Sequence, residues 1–305
     1  MTAGARPPVG VPGVVDPPRV AVVEAVARAL AEDLLPLGDL TAALVPAERT
    51  ATLAVVSRAH GVLAGRACAI EAFGQLDPAI RVEWHLPDGT AVAPGDVVAT
   101  VSGPLRQILT AERTALNFLG HLSGIASSTR RFVTAVQAVD PRVRVLDTRK
   151  TTPGLRALEK AAVRAGGGHN HRANLSDAVL VKDNHLDGMS IAEAVGRALA
   201  TWPGRMVEVE CDRPEQVREA CSAGAGAVLL DNMTPEEAAR CVELARAAAP
   251  GGAVLVEVSG GVTVETAPAY AAAGIDVISV GALTHSAPVL DLGLDLLGAD
   301  RGAEG

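Results

Sequence analysis

The chain has 305 residues, 49% of them hydrophobic, enough to bury one large core or two medium ones, which excludes a disordered segment and a small stapled scaffold. A net charge of -8 with only 2% aromatic residues supplies neither the broad basic surface nor the stacking groups that nucleic acid demands. No apolar run is long enough to span a bilayer and the N-terminus lacks a secretory pattern, so a cytoplasmic protein with no membrane partner is expected.

Residues 1–18, rich in Pro and Gly, read as a flexible tail. Helical spacing of apolar residues runs from Arg19 to Leu35, and Gly38 closes it. The β-rich runs ATLAVVS, IRVEWHL and DVVATVS then alternate with one helical piece around Ala67 to Gln75, which predicts an N-terminal α+β domain over 19–125. A long helical stretch follows from Leu105 to Val139, with Gly120 and Gly124 as expected breaks. The cysteines Cys68, Cys211, Cys221 and Cys241 form no CxxC pair and are expected to be reduced bystanders.

After Pro141 the pattern becomes a regular alternation of short β-branched runs and amphipathic helices, the mark of parallel βα units. Six strands are expected: Arg144–Leu146, Ala178–Val181, Met206–Val209, Ala227–Leu230, Val254–Val258 and Asp276–Val280. No GxGxxG follows the first strand, so an α/β fold with an incomplete β/α barrel of about six to seven strands over 126–290 is preferred to an open nucleotide-binding sheet. Residues 291–305 are left as a C-terminal segment.

Catalytic groups of such barrels project from the C-terminal strand ends. Those ends carry Asp147, Thr148, Arg149 and Lys150, then Lys182, then Glu210, then Asp231, then Ser259, Gly260 and Gly261, then Gly281 with His285 just beyond. Cations gather at one part of the mouth and carboxylates at the next. From Thr148 to Lys182 seven basic residues face two acidic ones, which points to an anionic small molecule. All three lysines of the chain, Lys150, Lys160 and Lys182, lie there among 27 basic residues in total, and Lys150 and Lys182 read as functional ammonium groups while Lys160 reads as a helix-face residue. The glycine-rich turns at Ser259 and Gly281 expose N–H groups able to hold phosphate. The run Gly166 to Arg172 (GGGHNHR) offers His171 and Arg172 to a carboxylate; its alternatives are a His169/His171 metal pair and a plain surface loop.

The strings TRKTTPGLR from Thr148, GGGHNHRANLSD from Gly166 and LVKDNH from Leu180 resemble the quinolinate phosphoribosyltransferases, with GDLT at Gly38, ERTALN at Glu112, LLDNM at Leu229, SGGVT at Ser259 and VGALTHS at Val280 extending the likeness over nearly all of the chain after the tail. The resemblance implies a two-domain subunit, its N-terminal α+β domain a sandwich, in a homodimer or higher oligomer, with phosphoribosyl pyrophosphate and quinolinate as substrates and Mg2+ as cofactor. It implies Arg149, His171 and Arg172 as quinolinate ligands, with Thr148 in the same substrate site and Arg113 arriving from the neighbouring subunit. Lys150 and Lys182 would serve phosphate and the reacting centre, Glu210 and Asp231 the ribose and Mg2+, and Ser259, Gly260, Gly261, Gly281 and His285 the phosphates. Ala161 departs from the aromatic residue often present in the family at that helix position, a matter of packing volume. Competing expectations are a phosphoribosyltransferase for another acceptor, as in molybdenum-transport-associated relatives, a metal-dependent barrel hydrolase built on the histidine pair, and a non-catalytic anion-binding barrel.

Overall fold

The computed structural model describes residues 16–249 and 253–297, so most of the Pro-rich tail lies outside the described residues. The chain divides into two compact units. The first comprises the chain up to Ser127, Ala157–Gly167 and the chain from Pro288; the second comprises Ser128–Arg156 and Gly168–Ala287.

The first unit opens with α1 (Arg19–Leu34). The Gly38 N–H bonds to Leu34 O beyond its end, and Gly38 adopts φ 76°, a left-handed geometry that side chains resist. The strands β1 (Thr50–Ser57), β2 (Gly61–Val62), β3 (Arg81–Trp84), β4 (Ala91–Val92) and β5 (Val97–Pro104) follow, with α2 (Arg66–Leu76) after β2. Helix α3 (Leu105–Gln137) then carries the chain into the second unit. In the antiparallel sheet the order is β12-β1-β5-β3, where β12 is Leu292–Leu296. Within the expected C-terminal segment 291–305, Leu292–Leu296 pairs with Ser57–Leu53 of β1. Two strands distant in sequence share this sheet, so no local signal announces the pairing.

The expected breaks in α3 do not occur. A Cβ on Gly124 would lie 2.0 Å from Pro288 O, and one on Gly120 would lie 3.0 Å from Leu290 O, whose residue donates its N–H to Gly120 O at 2.9 Å. These glycines clear a groove along an unbroken helix for the chain at 288–290. The Ser123 hydroxyl adds a stitch on the same helix: Oγ accepts the Ala64 N–H at 2.9 Å and donates to Ala64 O at 3.1 Å.

The second unit holds β6 (Arg144–Leu146), β7 (Val179–Val181), β8 (Val207–Cys211), β9 (Ala227–Asp231), β10 (Leu255–Ser259) and β11 (Val277–Ser279). Their order is β6-β11-β10-β9-β8-β7, all parallel where paired. From β7 to β11 each strand neighbours the next in sequence and β11 pairs β6, while β6 and β7 do not pair among the described residues, which is a six-stranded barrel left open at one seam. Val228, Leu230, Val256, Val258 and Ile278 are fully buried, as parallel strands covered on both faces should be.

The connecting helices include α6 (Ile191–Thr201), α7 (Pro214–Ser222), α8 (Pro235–Ala248) and α9 (Ala267–Ala272). Short turns α5 (Asp183–Leu186) and α10 (Ala282–His285) follow β7 and β11, and α4 (Arg156–Ala165) belongs, from Ala157 on, to the first unit. Ser190 with Glu193 and Thr234 with Glu237 form reciprocal capping boxes, so the starts of α6 and α8 are fixed by local sequence. All four cysteines are free and buried.

Because the Gly124 Cα faces backbone and not a flexible side-chain end, Gly124→Ala should cost about 1–3 kcal/mol by overpacking. Calorimetry reads this as a lower transition temperature; an unchanged one would mean that the 288–290 segment yields freely.

Candidate active site

Strand pleating sends alternate residues to one face, and parallel register aligns them between strands. Glu210, Leu229 and Glu257 thereby form one row across β8, β9 and β10, with Asp231 and Ser259 paired one step toward the C-terminal ends. Lys182 follows β7 directly. These residues meet the loops after β6 and before β7 around a cavity of about 470 Å3.

Of the expected site residues, Thr148, Arg149, Lys150, His171, Arg172, Lys182, Glu210, Asp231, Ser259, Gly260 and Gly261 all line that cavity. Gly281 and His285 adjoin it without lining it: a Cβ on Gly281 would meet Lys150 Cδ at 3.0 Å and His285 Nε2 at 3.1 Å. Arg113 belongs to α3 in the first unit, where it borders a different cavity of about 330 Å3 with Asn117, His121 and residues 289–292.

The loop after β6 is held from several sides. Arg156 donates from Nη2 to Arg149 O at 3.3 Å and from Nε to Thr151 Oγ1 at 3.1 Å. Thr148 Oγ1 accepts the Lys150 N–H at 3.0 Å, and Thr284 Oγ1 donates to Lys150 O at 2.7 Å. The Arg149 Nε is buried and makes no hydrogen bond to protein. Burial and the neighbouring Arg149 guanidinium both disfavour charge on Arg172, so its pKa lies below the usual arginine value. An arginine remains charged even so, and two guanidinium-bearing residues line the one cavity.

The glycine run reaches the site through an edge contact. His169 bridges Leu146 in parallel, donating its N–H to Val145 O at 2.8 Å and accepting the Asp147 N–H at 3.2 Å. The fully buried Asp147 carboxylate then accepts the His171 N–H at 2.9 Å and the Asn170 Nδ2 at 2.6 Å. In this extended stretch alternate side chains part company. His169 turns to Arg144, with 3.3 Å between Nε2 and Nη1, and burial together with that guanidinium lowers its pKa. His171 instead lines the cavity, so the expected alternative of a His169/His171 metal pair does not form.

Carboxylates occupy the next part of the mouth. Lys182 Nζ is ion-paired with Glu210 Oε2, and Asp231 Oδ2 accepts from Asn232 Nδ2 at 2.8 Å. Asn232 also donates its N–H to Ser259 O at 3.0 Å, and a Cβ on Gly260 (φ 93°) would lie 2.2 Å from Asn232 Oδ1. The turns after β9 and β10 interlock, and only glycine fits at 260.

Two residues with no role in the sequence reading lie in the same neighbourhood. Glu208 and Glu257 are buried in mid-strand, with an oxygen of each near His171 Nε2, at 3.1 Å and 3.5 Å. Burial and the adjacent Glu208 hold the Glu257 carboxyl well above the usual carboxylate range, more than His171 and Ser279 lower it. The signal was present in VEVEC and LVEVS, where an acid interrupts an otherwise apolar strand.

Comparison with known proteins bears directly on this arrangement. The family described as quinolinate phosphoribosyl transferase, N-terminal domain, matches residues 39–123, and its C-terminal domain matches residues 125–295. A Bacillus subtilis protein named probable nicotinate-nucleotide pyrophosphorylase (carboxylating) is 40% identical over 270 residues, covering 88% of this chain and 91% of its own length. The human nicotinate-nucleotide pyrophosphorylase (carboxylating) is 41% identical over 258 residues, covering 84% and 85%. The solved nicotinate-nucleotide pyrophosphorylase from Francisella tularensis superposes with a TM-score of 0.86 at 38% identity, over 93% of this chain and 99% of that one. A six-stranded open barrel with cations and carboxylates converging at its mouth, matched by both family domains in order, makes this chain a member of the quinolinate phosphoribosyltransferase family.

Proposed function

We propose that this chain transfers the phosphoribosyl group of phosphoribosyl pyrophosphate to quinolinate and releases carbon dioxide, forming nicotinate mononucleotide and pyrophosphate for NAD biosynthesis. The observation that carries this reading is the single cavity in which Arg149, Lys150, Arg172 and Lys182 face Glu210 and Asp231. An acid with two carboxylates suits the guanidinium wall, because planar guanidinium groups bind carboxylates through paired hydrogen bonds.

The pyridine nitrogen attacks the anomeric carbon as the bond to pyrophosphate breaks, and positive charge grows on the sugar ring. Glu210 and Asp231 stabilise that charge and orient the ribose hydroxyls, while Lys150 and Lys182 take up the charge of the departing pyrophosphate. Lys182 is already coupled to Glu210, so cation and carboxylate hold each other in place before substrate arrives. The carboxylate beside the quaternised nitrogen then leaves as carbon dioxide, its electron pair drawn into the ring, and the ring carbon takes a proton. Positioning is the protein's main contribution to this step. Ser259, Gly260 and Gly261 offer a turn suited to phosphate.

Glu210 and Asp231, oxygen donors at neighbouring strand ends, fit the hard-ligand preference of Mg2+ and would hold it with the substrate's phosphates. Bound there, the ion supplies further neutralisation of pyrophosphate. The active assembly in this reading is a homodimer or higher oligomer in the cytoplasm, with Arg113 of one subunit serving the cavity of its partner. No helix among the described residues is long and apolar enough to cross a membrane.

The deciding experiment incubates the protein with quinolinate, phosphoribosyl pyrophosphate and Mg2+ while nucleotide and labelled carbon dioxide are followed together. Equal yields of both are expected; turnover of nicotinate in place of quinolinate would assign a different acceptor. Arg149→Ala and Arg172→Ala should each lose about a hundredfold or more in kcat/KM for quinolinate, from the roughly 2–5 kcal/mol at stake when one partner of a buried charge pair is removed. Near-normal kinetics in a purified variant would strike that residue from the site. Mixing inactive Arg113→Ala with inactive Lys150→Ala should restore part of the activity, and its absence despite demonstrated subunit exchange would refute the shared site.

A further inference from the structure

The family resemblance implies His171 as a quinolinate ligand, yet both of its ring nitrogens are engaged within the protein. Nδ1 accepts the N–H of Arg172 at 2.8 Å, so the ring proton must reside on Nε2. Nε2 lies 3.1 Å from Glu208 Oε2 and 3.5 Å from Glu257 Oε1, the latter a buried oxygen with no hydrogen bond of its own. Glu208 is 1% exposed and Glu257 4%. Two carboxyl groups have thus been buried inside the barrel, at an energetic cost that packing alone does not explain.

The geometry points to Glu208, supported by Glu257, as a positioning residue for the guanidinium wall of the site, acting through His171. Glu208 accepts the Nε2–H and fixes both tautomer and ring plane. The ring then presents Nδ1 to the Arg172 N–H, next to the Asp147 carboxylate that holds the His171 N–H at 2.9 Å. Two successive peptide N–H groups are anchored in this way, and the Arg172 side chain leaves a backbone that cannot turn; its Nη1 donates to Ala178 O at 3.2 Å. Without Glu208 the ring is free to rotate and Arg172 loses one of its supports. The function of the relay is to set the quinolinate end of the cavity, while Glu210 and Ser259, two residues further along the same strands, serve the ribose and phosphate end. This inference rests on the quinolinate reading above.

The test is steady-state kinetics of Glu208→Leu, Glu208→Gln, His171→Ala and the Glu208→Leu/His171→Ala double variant, after circular dichroism confirms folding. Leucine removes the acceptor; glutamine keeps a carbonyl that can accept Nε2–H. Glu208→Leu should raise the KM for quinolinate about tenfold or more, the scale of one lost hydrogen bond to a charged group, while the KM for phosphoribosyl pyrophosphate stays within about twofold. Glu208→Gln should recover most of the difference, and Glu208→Leu should add little in the His171→Ala background because the two act as one unit. Equal effects on both KM values, no rescue by glutamine, or fully additive penalties would overturn the relay. Stoichiometric metal that survives gel filtration in the wild type and is lost in Glu208→Leu would overturn it as well, making the cluster a metal site. A wild type that never consumes quinolinate would remove the reading beneath the inference; a wild type that does, with an unchanged quinolinate KM in folded Glu208→Leu, would remove the inference alone.

Discussion

Arg149 and Arg172 are held close enough on one cavity wall for the first to disfavour charge on the second, and much of the surrounding architecture serves to keep them there. Left to themselves, two guanidinium groups would separate into solvent. They are prevented from doing so by main-chain restraints. Arg156 and Thr151 grip the loop that carries Arg149, Thr284 grips Lys150 beside it, and Asp147 together with the His171 ring grips the backbone that carries Arg172. Two like charges on one wall favour an anionic ligand beside them, in keeping with the proposed acidic substrate.

The parallel sheet makes this possible because its register is set by apolar pairing elsewhere. Val228, Leu230, Val256 and Val258 lock β9 against β10, and the opposite face of the same strands then carries Leu229, Asp231, Glu257 and Ser259 in fixed rows. A slip of one residue would send every polar group into the core. The cost of charged groups at the mouth is thus met by the same hydrophobic burial that selects their position. The capping boxes at Ser190 and Thr234 add local insurance, starting α6 and α8 at fixed points after the site-bearing strands.

The barrel was legible because its strands are short β-branched runs separated by helices with clear starts, and the strand ends could be read in order for chemistry. Glu210 follows the run Met206–Val209 directly and is legible as a strand-end group, whereas Glu208, two positions earlier on the same face, lies inside the run. Side-chain direction was equally hidden in GGGHNHR: His169 and His171 share a tripeptide, but only pairing with β6 decides that one meets Arg144 and the other the cavity. At Gly120 and Gly124 propensity pointed to breaks, whereas the close approach of 288–290 explains the glycines without one. Each of these misses concerns a partner distant in sequence, which no local pattern encodes.

Buried acids behind the proposed site for an acidic substrate look at first like a contradiction, since Glu208 and Glu257 should repel what Arg149 and Arg172 are proposed to attract. The balance turns on what each carboxyl does. Glu257 is pushed by burial and by its neighbour toward the neutral acid, so the pair together tends to carry less than its full formal charge. Glu208 acts through the His171 ring, which separates its oxygens from the backbone of Arg172 by the width of an imidazole. In a low-dielectric interior an acceptor that orients a cation's support contributes more by fixing geometry than it costs in diminished potential, provided that its own hydrogen bond is made. The same logic accounts for the placement of Glu210 and Asp231 at the rim, where they remain more accessible than the buried pair and where a sugar, not an acid, would have to be stabilised.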